Sequence, residues 1–79
     1  MQRLGQFKEA VGESPIQMLL RLRLRQAARL LEYSTLSVAE IAAEVGFDSQ
    51  FYFARRFRVQ FAMSPTWYRR ARQRSYESM

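Results

Sequence analysis

The sequence predicts an all-α fold, and three features of it do so. Apolar residues recur at helical rather than alternating spacing; two Ser-Pro junctions each open a helix; and one serine-glutamate capping box precedes a short helix that a glycine ends. The chain has 79 residues, 48% of them apolar, so it makes one small domain near the lower limit for a self-sufficient core.

Residues 2–11, QRLGQFKEAV, place Leu4, Phe7 and Val11 on one helical face, with Gly12 as a stop. Ser14 then caps a helix whose first position is Pro15, where the missing N–H costs nothing. This helix, over 15–33, carries an apolar stripe of Leu20, Leu24, Ala27 and Leu31 with Leu19 and Leu30, beside which Arg21, Arg25 and Arg29 recur every four residues. The segment YSTLS interrupts the pattern. Ser37 and Glu40 form the capping box of a short helix buried through Val38, Ile41, Ala42 and Val45, and Gly46 can adopt the left-handed conformation that ends it. Phe47 plugs the turn, Asp48 or Ser49 caps a helix running to about Phe61, and Ser64-Pro65 opens a last helix to about residue 74.

Charge narrows the function. Thirteen basic residues, twelve of them Arg, against seven acidic give +6, the electrostatic profile of a partner for nucleic acid or an anionic surface. Between Ser49 and Ser75 there are seven Arg and no acid. Cysteine and histidine are both absent, which removes disulfides, thiolate metal sites and the commonest general base. The carboxylates read as caps (Glu40, Asp48) or solvated charge (Glu9, Glu13, Glu32, Glu44, Glu77), so neither an enzyme nor a cofactor is expected. No apolar run suffices to span a bilayer.

An internal repeat links the two ends of the chain. FKEAVGESP at 7–15 matches FRVQFAMSP at 57–65, aligning Phe7 with Phe57, Ser14 with Ser64 and Pro15 with Pro65. The period predicts that the first copy lacks a short helix and turn ahead of Met1.

The segment 46–61, GFDSQFYFARRFRVQF, holds six of the eleven aromatic residues and three arginines. On a helical wheel Phe53 and Phe57 point to one side, with Phe61 at its edge, while Phe51, Ala54, Arg55 and Arg58 point to the other. A short helix, a tight Gly turn and a second helix with a basic outer face form a helix-turn-helix, whose second helix enters the major groove of DNA.

SPIQMLLRLRLRQAARLL, SVAEIAAEVGFDSQFYFARRF and SPTWYRR, in this order and spacing, resemble the C-terminal DNA-binding domain of the AraC/XylS family of bacterial transcription regulators. The resemblance runs from about Phe7 to Arg70. It implies a homeodomain-like fold with two helix-turn-helix units: 1–11 would be a remnant of the first recognition helix, 15–33 the linking helix, 37–61 the second unit and 65–74 the closing helix. It implies that Gln50, Phe51 and Arg55, with Tyr52 and Ala54 alongside, read bases. Gln suits adenine, Arg suits guanine, and an apolar group suits the thymine methyl. Ser49, Arg56, Arg58, Arg69 and Lys8 would hold phosphates. Arg23 is expected to be a structural or backbone-facing arginine rather than a base reader. The implied partners are double-stranded DNA and RNA polymerase, in the bacterial cytoplasm at the nucleoid, with any effector or dimerisation domain outside these residues. Two positions depart from the family pattern: Ala62 stands where glycine is usual, and Gly5 stands where the repeat places Arg55.

A basic amphipathic module for an anionic membrane or an acidic protein is the alternative. It explains the charge, but it predicts neither the Gly turn nor the paired Ser-Pro junctions.

Overall fold

The computed structural model of the protein describes residues 13–77, with side chains described through Gln73. Among them are four helices and no strand: α1 (Pro15–Tyr33), α2 (Val38–Glu44), α3 (Gln50–Phe61) and α4 (Pro65–Glu77). The last helix extends past the expected end at residue 74, since nothing in RQRSYE breaks a helix. The expectations for residues 1–12, including the phosphate role of Lys8 and the face formed by Leu4, Phe7 and Val11, lie outside the described residues. No described helix is long and apolar enough to cross a membrane.

Each helix begins at a serine. The Ser14 Oγ accepts from the Gln17 N–H at 3.2 Å while Gln17 Oε1 accepts from the Ser14 N–H at 3.3 Å, a second capping box that the sequence reading missed. In the expected one, Ser37 and Glu40 exchange bonds of 2.8 and 3.0 Å. Ser49 caps α3 through the Tyr52 N–H at 3.2 Å, and Ser64 receives the Trp67 N–H at 3.2 Å. The cap of α3 is therefore Ser49 and not Asp48, which lies exposed one residue earlier. Such a cap contributes about 1 kcal/mol.

The core is a layer of small and branched side chains under an aromatic row. Leu24, Ala27, Ala28 and Leu31 of α1 meet Ile41, Ala42 and Val45, with Phe47, Phe53, Phe57 and Tyr68 closing the other side. Ring centroids lie 5.3 Å apart for Phe47–Phe53, 5.8 Å for Phe53–Phe57 and 5.4 Å for Phe57–Tyr68. Phe61 stacks on Phe57 at 4.4 Å. The row ties the turn before α3 to α4, and full burial of each ring is worth roughly 1.5–3 kcal/mol. Leu19, expected on the stripe, is 46% exposed, because the core direction of α1 passes through Leu24, Ala28 and Leu31 instead.

Arg69 joins two elements through backbone carbonyls. Arg69 of α4 donates from Nε to the Leu31 carbonyl at 3.0 Å and from Nη2 to the Ser34 carbonyl at 3.2 Å. It thereby satisfies acceptors left over where α1 ends. Arg21, by contrast, grips the Glu13 carboxylate with two bonds of 2.6 and 3.2 Å. Glu13 is thus an ion-pair partner rather than the solvated charge expected of it. This bonding holds the Glu13 carboxyl below its ordinary range, and the Ser37 donors do the same for Glu40.

Candidate nucleic-acid interface

The direction of α3 is set by the turn before it. After α2 the chain caps at Val45, and Gly46 follows at φ +95°, a conformation glycine adopts without strain. The Gly46 N–H bonds the Ala43 carbonyl at 3.1 Å and the Phe47 N–H bonds the Ala42 carbonyl at 2.9 Å. This is a Schellman motif, and it turns Phe47 back against the helix it has just left. Phe47 is buried and touches both Phe53 and Tyr52, the latter at 5.8 Å between centroids. One aromatic side chain therefore fixes the start of α3 against the end of α2.

Arg23 reinforces the turn from below. Its Nη1 lies 3.4 Å from the Gly46 carbonyl oxygen, and a Cβ placed on Gly46 would sit 3.0 Å from the guanidinium carbon. Of the two roles expected for Arg23, this contact is of the structural kind. Near the end of α3, Gln60 Nε2 donates to the Arg21 carbonyl at 3.3 Å, so α1 bonds both the turn before α3 and its last turn.

With its inner side so held, α3 presents the other side outward. Phe51 is 86% exposed, and Gln50, Arg55, Arg58 and Val59 are exposed with it. Tyr52 is 45% exposed, its ring leaning on Phe47. Ala54 is half-buried rather than outward, because its wheel position lies beside Phe57 and Phe61. Ser49 spends its oxygen lone pair on the cap and keeps its hydroxyl hydrogen for another acceptor. Arg56 is half-buried, and its Nε is shielded from solvent without a hydrogen-bond partner. Arg69 stands apart from this group, with two guanidinium nitrogens on the Leu31 and Ser34 carbonyls at the end of α1. No residue type or spacing in α4 distinguishes Arg69 from Arg70, so no local signal marks this role.

The electrostatics of α3 are one-signed. Its first turn has no acidic residue, and Arg58 stands near its C-terminal end. The uncompensated positive end of the helix dipole and the arginines favour an anion on this face. Among the described residues no cluster of acidic side chains could hold a metal ion.

A helix-turn-helix domain family matches residues 4–71 of the chain. The MmsAB operon regulatory protein of Pseudomonas aeruginosa is 39% identical over 66 residues, which cover 84% of this chain and 22% of that protein. The transcriptional regulator MtrA of Neisseria gonorrhoeae is 39% identical over 69 residues, 87% of this chain and 23% of its own length. The transcriptional activator AarP of Providencia stuartii is 38% identical over 63 residues, 80% of this chain and 47% of its own. The chain thus spans about a fifth of the length of the first two relatives. No solved structure matches it. A capped short helix, a Schellman turn at Gly46 and an outward basic helix, found in a chain that these regulators match over most of its length, place it in the AraC/XylS family of helix-turn-helix transcription regulators.

Proposed function

We propose that the domain binds double-stranded DNA by laying α3 in the major groove, with Gln50, Phe51 and Arg55 at the base edges and Tyr52 beside them. The observation that carries this reading is Phe51. A phenyl ring 86% exposed on the outer side of α3, flanked by Arg55 and Arg58, offers the apolar surface that suits a thymine methyl. Arg55 can offer two parallel donors to guanine O6 and N7, and Gln50 a donor and an acceptor to adenine. Ala54, half-buried, is left a supporting role: its small side chain lets the helix approach the groove floor.

Phosphates fall to Ser49, Arg56 and Arg58. A phosphate oxygen beside Arg56 would supply the acceptor that its Nε lacks. Arg69 drops out of this set, since its guanidinium is engaged on α1. Contact with RNA polymerase and action at the nucleoid belong to the same proposal and rest on the regulator names of the relatives. Those names give no support to a membrane module.

The test is selection of bound duplexes from a random pool by the protein and by its Arg55→Ala variant. The proposal expects the variant to lose about 1–3 kcal/mol of discrimination at one or two base positions. An identical base preference in both proteins would remove Arg55 from the reading face.

A further inference from the structure

A second surface of the domain lies away from the outward face of α3. Arg25, Ala28, Arg29 and Glu32 of α1 line a groove against Phe61 and Tyr68. Phe61 belongs to the inner side of α3, about 120° around the helix from Arg55, so the groove and the proposed DNA face open in different directions. The groove floor is aromatic: Phe61 and Tyr68 stand 5.4 Å apart between centroids. Arg72 lies over the Tyr68 ring with its guanidinium carbon 4.8 Å from the centroid. Stacking occupies the flat face of a guanidinium and leaves its in-plane N–H donors directed outward.

Arg25 and Arg29 put two positive charges in this groove against one carboxylate, that of Glu32. Arg21, Arg25 and Arg29 form one column at four-residue spacing, and like charges at that spacing repel. Arg21 is neutralised by Glu13. Neither Arg25 nor Arg29 has an ion pair or hydrogen bond among the described residues. Two arginine forks and Glu32 therefore line a floor made by Phe61 and Tyr68, with a third fork, that of Arg72, stacked on Tyr68 at its side.

We propose that this groove docks an acidic protein segment, its carboxylates on Arg25, Arg29 and Arg72 and one apolar side chain against Phe61 and Tyr68. Guanidinium forks match carboxylates in a bidentate manner, and an aromatic floor gives the segment an anchor that bare charge does not. The groove is thus a protein-binding surface that the domain carries in addition to its DNA face, and the two can be occupied together.

The probe is a short fluorescein-labelled peptide of glutamates flanking one leucine, with a glutamine-for-glutamate peptide as control, titrated by anisotropy with and without saturating duplex DNA. The expected result is binding of the acidic peptide alone, with its affinity unaltered by the DNA. The double variant Arg25→Gln/Arg29→Gln, its fold checked by circular dichroism, should bind the peptide roughly tenfold more weakly and DNA with an unaltered salt slope. Absence of peptide binding, equal binding of the glutamine control, or undiminished peptide binding by the variant would each overturn the proposal. So would displacement of the peptide by DNA, or a shallower salt slope in the variant, either of which would make the groove a phosphate contact. Failure of the protein to bind DNA at all leaves the peptide arms readable and counts against the major-groove reading instead.

Discussion

Ala62 occupies the most costly backbone conformation among the described residues. It ends α3 at φ 66°, ψ 16°, the only positive-φ residue other than glycine there, while its N–H bonds the Arg58 carbonyl at 2.8 Å. A Cβ in this region costs roughly 1–2 kcal/mol. Ala62→Gly should therefore raise stability by about 1 kcal/mol in denaturant titration, the relief of strain being partly offset by the extra freedom of glycine in the unfolded chain. An unchanged midpoint would mean that the cap is not strained. Arg58, one turn earlier, is exposed and outward. Arg58→Ala should weaken binding to all duplexes about equally and lower the salt slope by about 1, whereas a loss confined to certain sequences would move Arg58 among the base readers. At this scale the sequence was legible where a residue type has one physical use. Gly46, Ser37 and Phe53 could be placed from their neighbours alone. Arg69 could not, because an arginine bonding two distant carbonyls leaves no local trace.

The α2–turn–α3 element depends on Gly46 for two separate reasons. Its φ excludes most side chains, and a Cβ there meets the Arg23 guanidinium at 3.0 Å. Gly46→Ala should destabilise the domain by at least about 1 kcal/mol. The contact is with the far end of a flexible side chain, so adding Arg23→Ala should relieve only the steric part and leave most of the loss in place. Full recovery in the double variant would show that crowding, not backbone conformation, demands glycine. The cap of α2 makes the element sensitive to acid. Glu40 is held below its ordinary value of 4.5 chiefly by the Ser37 backbone N–H, and Glu13 likewise by Arg21. A carboxyl lowered in the folded state contributes stability that is fully present above its unfolded value and is lost as pH falls through the folded one. The melting temperature should thus be flat above about pH 5 and fall below about pH 4.5. Glu40→Gln, which keeps a bond to the cap, should shrink that fall; an equal fall in the variant would assign it to other groups. Helix starts were readable because serine and proline announce them. The end of α4 was not, since a run of polar helix formers carries no stop.

For the whole molecule, all four described helices serve to hold one face of α3 outward. α1 packs against each of the other three, α4 fastens to the end of α1 through Arg69, and the aromatic row from Phe47 to Tyr68 ties the turn to the closing helix. The all-helical architecture and the division of α3 into Phe53/Phe57 and Phe51/Arg55/Arg58 sides were legible from spacing. The groove between α1 and α4 was not, because Arg25, Arg29, Phe61 and Tyr68 come together only through packing between distant segments. The most direct measurement of the central claim is fluorescence anisotropy of the protein on random-sequence duplexes across a salt series, followed by sequencing of the retained fraction. Base reading by α3 predicts a recurring short motif, together with a slope of log K against log salt of about −2 or steeper, at about 0.9 per phosphate neutralised. A steep salt slope with no retained motif would contradict base reading by α3, and a flat salt dependence would contradict DNA binding by this face altogether.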